Sequence, residues 1–141
     1  MQNIFVYGTL QSPEIIKKLT GKSFKSTPAV LEGYKRYWVK ESDYPAVIQQ
    51  IDEQTTGLVL ENVDDLSFDI ISFYEGDEYG KKKVTVNLNG ISKDVLTFVW
   101  VNGNEFLENK DWDLDNFEKT FLEHYLEVVI QETLKEFHRN Q

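Results

Sequence analysis

Among the carboxylates, Glu75 stands apart, because it follows Phe73-Tyr74 and precedes Gly76-Asp77-Glu78-Tyr79 and is therefore crowded by aromatic side chains. It falls at the exit of a predicted helix, where partial burial and the negative end of the helix dipole both disfavour the ionised form. Both raise its pKa towards the range in which one group can take and return a proton. On pattern alone a glutamate at a helix end is more often structural than catalytic, and Asp77 and Glu78 have less to recommend them.

The second candidate is the turn Tyr7-Gly8-Thr9-Leu10. A strand that stops at glycine and runs into a helix can aim successive backbone N–H groups at an anion, and a substrate carboxylate suits such a cradle. The plainer reading is that Gly8 makes a tight turn and Tyr7 packs. Metal and nucleophile schemes do badly: the two histidines, His124 and His138, lie fourteen residues apart in the last predicted helix, nearly four turns from one another. The absence of cysteine removes disulfides and thiolate chemistry and agrees with a reducing compartment.

The elements that must position these residues follow from the apolar pattern. Asn3 to Tyr7 reads as a short buried strand, and Ser12-Pro13 opens a short helix whose Ile15, Ile16 and Leu19 form one face before Gly21. Ala29 to Lys40 suits a strand or a pair of strands around Gly33, followed by a loop from Glu41 to Pro45. Ala46–Ile51 and Gly57–Glu61 read as a hairpin joined by Asp52-Glu53-Gln54-Thr55-Thr56. Asp64 caps a helix bearing Leu66, Ile70 and Phe73, with Gly76 where a left-handed residue is wanted. Lys83–Leu88 and Val95–Val101 flank the turn signal Asn89-Gly90. A long helix starts near Asp113 and carries Phe117, Phe121, Tyr125 and Val128, widened by Leu122, Leu126, Val129 and Leu134; Asp113, Asp115, Lys135 and Arg139 suit its dipole.

Six or seven strands with few intervening helices imply an α+β class, a small and mostly antiparallel β-barrel with flanking helices and a long C-terminal helix. The 141 residues, 40% hydrophobic and 13% aromatic, support a single domain spanning 1–141. The formal net charge of -9 repels phosphate backbones and anionic membranes, so nucleic acid and membrane are excluded as partners. The run Lys81-Lys82-Lys83 reads as a solvated strand edge. The N-terminus lacks the basic region and the length of a signal peptide, and the expected location is cytoplasmic.

Three segments agree in order and separation with a known family. Phe5-Val6-Tyr7-Gly8-Thr9-Leu10, Tyr44-Pro45-Ala46-Val47 and Phe73-Tyr74-Glu75-Gly76-Asp77-Glu78-Tyr79 resemble the γ-glutamylcyclotransferase-like superfamily. Gly33-Tyr34-Lys35-Arg36-Tyr37 and the Trp112-Asp113 start of the last helix are similar to its avirulence-induced-gene branch known from plants. The resemblance covers nearly the whole chain. It implies a small barrel, no cofactor, and an acyltransferase-type enzyme that converts a γ-glutamyl amine or amide to 5-oxoproline with release of the amine.

Carried over by motif, the family's glutamate is Glu75, the general acid and base, and its substrate-cradling turn is Tyr7, Gly8, Thr9 and Leu10. Tyr44 and Tyr79, with Tyr7, add a hydroxyl or wall the pocket. The chain departs from many members in having Gln11-Ser12-Pro13 after the turn, where a basic residue and a Gly-Asn loop are common, which leaves the released amine open. The expected partner is a small γ-glutamyl molecule, with the protein a monomer or homodimer. Two other readings stand beside the enzyme. One is a catalytically silent module binding a γ-glutamyl or other carboxylate-bearing metabolite; the other is an interaction domain using the wide apolar face of the last helix.

Overall fold

The computed structural model describes all residues, 1–141. Strand β1 (Gln2–Val6) leads through the turn at Tyr7-Gly8 and a single 3₁₀ turn (Thr9–Gln11) into α1 (Pro13–Thr20). Ser12 caps α1 by accepting from the Ile15 amide at 3.3 Å, and Pro13 takes the first helical position, where a missing N–H costs nothing. Two long strands follow, β2 (Ser26–Val39) and β3 (Pro45–Val63), then α2 (Asp65–Glu75), β4 (Tyr79–Leu88), β5 (Ile91–Trp100) and the two-residue β6 (Leu107–Glu108).

One expected hairpin is absent. Ala46–Ile51 and Gly57–Glu61 belong to the single strand β3, and both halves pair with β2 from Ser26↔Leu60 to Trp38↔Pro45. The polar run that mimics a turn is a large bulge: Glu32 opposes Gln54 and Tyr34 opposes Gln49, so residues 50–53 face Gly33 alone. Gly33 (φ 82°) and Asp52 (φ 66°) absorb the bend, and Ile51 is thrown outward with 86% exposure. The true hairpin turn is at residues 40–44. There the Ser42 hydroxyl donates to the Val39 carbonyl at 2.6 Å and the Trp112 indole donates to the Asp43 carbonyl at 2.8 Å.

The sheet order β3-β1-β5-β4-β2 closes on itself because β2 also pairs with β3, and β6 extends it beyond β2. All pairings are antiparallel except β1 with β5, which meet at Ile4↔Leu96. The secure hairpin is present with longer strands than expected, Leu88 opposing Ile91 across Asn89 (φ 52°) and Gly90 (φ 87°). That pair of left-handed residues makes the tight turn the dipeptide announces. Lys81, Lys82 and Lys83 are exposed within β4, with Lys81 above the Phe68 ring and Lys82 above the Tyr34 ring.

Alternation along β1 shows how the core divides. Phe5 and Tyr7 point into the barrel with Leu31, Val47, Val59 and Val95, whereas Ile4 and Val6 point out towards α1, α2 and the C-terminal helices. A strand covered on both faces reads as a continuous apolar run, which is why Ile4-Phe5-Val6 carries no polar break.

The C-terminal helical stretch is built of α3 (Leu114–Thr120), α4 (Leu122–His124), a π-helical turn (Tyr125–Val129) and α5 (Ile130–Arg139). Asp113 caps α3 by accepting from the Asp115 amide at 3.0 Å. The wide turn changes the phase of the apolar face: after Tyr125 the next fully covered residues are Ile130 and Phe137, while Val128 rotates out to 42% exposure. Phe121, Leu122, Leu126, Val129 and Leu134 pack partly buried against the core, so the apolar face expected to need a partner is mostly covered by this chain.

Candidate active site

Helix α2 delivers Glu75. Its cap is Asp64, which accepts from the Ser67 amide at 3.2 Å and whose carboxyl is held down at about 2, chiefly by its hydrogen bonds to Ser67. Ile70 and Ile71 anchor the helix in the core. At its exit Gly76 has φ 83° and ψ -176°, a region only glycine enters readily and not the left-handed helical one expected. The chain therefore turns sharply after Glu75 and starts β4 at Tyr79.

The turn after β1 comes from the opposite side. The Tyr7 hydroxyl crosses the barrel to donate to the Phe98 carbonyl at 2.6 Å, and the Thr9 hydroxyl shares a 2.8 Å hydrogen bond with the Tyr74 hydroxyl. Gly8 lies so near the start of β3 that a Cβ there would sit 2.9 Å from Pro45. Outside the regular elements, neither the Tyr7 nor the Gly8 amide donates to another backbone group.

These pieces enclose one cavity of about 220 Å³ between the mouth of the barrel and α2. Tyr7, Gly8, Thr9, Leu10, Tyr44, Glu75 and Tyr79 all line it, so every residue singled out from the sequence faces the same space. Phe5, Val6, Pro45, Tyr74, Glu78 and Phe98 complete the wall. The volume falls below the roughly 300–1,000 Å³ of pockets that hold drug-sized ligands and suits an amino-acid-sized group.

Glu75 keeps some solvent access through the cavity, yet protein surrounds its carboxyl and no side chain donates to it. Desolvation pushes its pKa up to about 8. The group thus exchanges a proton near neutral pH, the property a shared acid and base requires. Burial also raises the Tyr7, Tyr74 and Tyr79 phenols, and the Glu75 charge raises them further, so they remain neutral.

The tyrosines divide by what their hydroxyls do. Tyr7 is committed to Phe98, Tyr74 to Thr9, and Tyr79 to the Pro45 carbonyl at 2.8 Å, with its ring edge-on to Trp100. Tyr44 is half-buried, its phenol raised by burial and then by the charges of Glu78, Asp43 and Glu75. Its hydroxyl has no protein partner, so of the three tyrosines expected to add a hydroxyl or wall the pocket, Tyr7 and Tyr79 are walls and Tyr44 offers the free hydroxyl.

Arg36 lies in the Gly33–Tyr37 segment that resembles the plant branch, but no pattern gave it a place among the candidate site residues. It extends from β2 behind the turn, donating from Nη1 to the Tyr7 carbonyl at 2.9 Å and the Thr56 carbonyl at 3.1 Å, and from Nε to Asp111 at 2.9 Å. No local spacing connects it to Tyr7, 29 positions away; only the closed β1–β3–β2 arrangement does.

The fold is a small closed barrel with a tight glycine turn and a buried carboxylate on the wall of one cavity. The family model described as gamma-glutamyl cyclotransferase, AIG2-like, matches residues 4–114, and the chain belongs to that family. Protein AIG2 C of Arabidopsis thaliana is 30% identical over 130 residues, covering 89% of this chain and 78% of that protein. A solution structure from the same plant superposes with a TM-score of 0.70 at 26% identity, over 99% of this chain and 84% of that one. A structure called gamma-glutamyl cyclotransferase shares the fold, with a TM-score of 0.61 at 18% identity over 76% of this chain and 68% of the other. No helix is long and apolar enough to cross a membrane.

Proposed function

We propose that the protein cyclises a γ-glutamyl amine or amide to 5-oxoproline and releases the amine, with Glu75 as the group that moves the protons. The observation that carries this reading is the carboxyl of Glu75, raised to about 8 by burial and facing the Tyr7–Leu10 turn across one small cavity.

The reaction asks little covalent chemistry of the protein. The donor's own α-amine attacks its γ-carbonyl carbon, a C–N bond forms as the ring closes, and the amide C–N bond to the leaving amine breaks. Because attacker and target belong to one molecule, holding them in a ring-closing conformation removes much of the entropic barrier. Ionised Glu75 takes a proton from the α-ammonium so that the amine can attack and, now a carboxylic acid, gives it to the departing nitrogen; the carboxylate so restored takes the second proton from the new ring nitrogen and passes it to the amine, which leaves as an ammonium. The unpaired amides of Tyr7 and Gly8 hold the α-carboxylate or polarise the γ-carbonyl, with the Tyr44 hydroxyl as a further donor.

The test is to incubate the purified protein with γ-glutamyl amino acids, γ-glutamyl-ε-lysine and glutathione, and to quantify 5-oxoproline by mass spectrometry beside Glu75→Gln. Release by the wild type and none by the folded variant is the expected result. Equal release by both removes Glu75 from the mechanism. Tight binding of the donors with no release by either protein supports a carboxylate-binding module instead.

A further inference from the structure

We propose that Arg36 is a positioning residue that charges the Tyr7–Gly8 turn from behind, giving its backbone N–H the positive character with which it attracts a substrate carboxylate. The inference rests on the proposed use of that turn.

The cavity poses an electrostatic problem. Its lining holds two carboxylates, Glu75 and Glu78, and no lysine, arginine or histidine. A carboxylate entering it meets like charge and only neutral donors, while a cation inside the cavity would pair with Glu75 and pull its pKa down. The arrangement around Arg36 avoids both outcomes. Its side chain is 14% exposed, and Nη1 donates to the Tyr7 carbonyl. That carbonyl and the Gly8 N–H are the two ends of one conjugated peptide unit, so a guanidinium at the oxygen draws electron density from the nitrogen and strengthens the N–H as a donor. Nothing of the guanidinium enters the cavity lining.

The reach of the charge fits this division. Arg36 lowers the Tyr7 phenol, opposing the effect of burial, whereas burial alone accounts for the raised Glu75. The counter-ion, Asp111, is 68% exposed, so water screens it more than it screens Arg36. A net positive influence therefore remains on the turn and away from the proton-transfer group.

The test measures binding and needs no turnover. Titration calorimetry compares 5-oxoproline with its carboxamide on the wild type, Arg36→Met, Arg36→Lys and Asp111→Asn. The wild type is expected to prefer the carboxylate, and Arg36→Met to lose about tenfold of that preference while binding the carboxamide as before. Arg36→Lys is expected to keep part of the preference, and Asp111→Asn, which removes an opposing charge, to keep or increase it. Equal weakening of both ligands by Arg36→Met, or a fall in preference in Asp111→Asn, reduces Arg36 to a brace and overturns the proposal. If Arg36→Met does not fold, the other two variants decide the matter: a partial fall in preference in Arg36→Lys with none in Asp111→Asn supports the proposal, and any other pattern overturns it. Equal binding of both ligands by the wild type also overturns it, even where 5-oxoproline release has been demonstrated; binding of neither removes the proposed ligand class as well.

Discussion

The Thr9 hydroxyl lies 2.8 Å from the Tyr74 hydroxyl, tying the turn after β1 to the residue just before Glu75. Sixty-five positions of sequence separate the two, yet the bond joins two parts of the wall of the cavity that Glu75 also lines. If the bond aligns the two halves, Thr9→Val and Tyr74→Phe each lower kcat/KM and each cost about 1 kcal/mol of stability, because a buried hydroxyl loses its partner. The double variant is expected to cost no more than the worse single one. Urea unfolding and steady-state kinetics on the four proteins check this, and additive losses would mean that the hydroxyls act separately.

The pH dependence of activity follows from the form of Glu75 that starts the reaction. Ionised Glu75 accepts the first proton, so kcat/KM rises with pH and inflects near the free-protein value of about 8. The ammonium of the bound donor favours the carboxylate, which moves the inflection in kcat below that in kcat/KM. A profile that falls through the same region would assign Glu75 the opposite starting form.

The same carboxyl destabilises the fold when ionised. Its pKa rises from 4.5 in the unfolded chain to about 8 in the native state. Between these values the native state holds a proton the unfolded state has lost, so stability is complete below pH 4.5 and declines as pH rises towards 8. Glu75→Gln, neutral in both states, is expected to be more stable than the wild type by on the order of 2–3 kcal/mol at pH 7. The difference should vanish below pH 4.5. Thermal unfolding of the two proteins across that range measures it, and a variant less stable at neutral pH would contradict the buried-acid reading. Such a gain on removing a functional group is a familiar exchange of stability for activity.

Tyr44 and Tyr79 separate two kinds of tyrosine at one site. Tyr79→Phe breaks a bond to the Pro45 carbonyl and is expected to cost stability of about 1 kcal/mol, read by urea unfolding. Tyr44→Phe removes a hydroxyl with no protein partner, so it should leave stability nearly unchanged and reduce kcat/KM by roughly tenfold, as expected for a hydrogen bond made to the reacting molecule. The reverse pattern would place the free donor elsewhere.

Much of this arrangement was legible in the residues, for identifiable reasons. Glycine turns, aromatic neighbours and a helix cap are local signals that raise Tyr7, Gly8, Thr9, Leu10 and Glu75 as candidates, and the resemblance of three segments to a known family is what gave them their expected roles. What escaped depends on closure. Asp52-Glu53-Gln54-Thr55-Thr56 has the composition of a turn, but Gln54, Thr55 and Thr56 pair with β2, and only the pairing of both halves of β3 shows residues 50–53 to be a bulge. Val128 keeps helical spacing from Tyr125, but one wide turn hands its place to Ile130. Arg36 and Phe98 meet Tyr7 through contacts spanning 29 and 91 positions, and no periodicity reports contacts of that range.

Two glycines test how tightly the barrel fixes the turn. At Gly57 a Cβ would collide with the Val6 carbonyl oxygen, which is backbone held in a strand pairing and cannot withdraw. At Gly8 the nearest atoms are side-chain carbons of Pro45 at 2.9 Å, at the beginning of β3, where the chain has just left a turn. Gly57→Ala is therefore expected to cost roughly 3 kcal/mol or more and to shift the urea midpoint strongly. Gly8→Ala should cost less stability but displace the amides from the cavity, lowering kcat/KM by a hundredfold or so, since displacements near 1 Å have effects of about that size. Adding Pro45→Ala to Gly8→Ala removes the obstructing ring and should restore part of the activity. If the double variant is no better than Gly8→Ala alone, steric displacement by Pro45 is not how Gly8 matters, and the requirement lies in the close approach of a bound molecule to the Gly8 backbone.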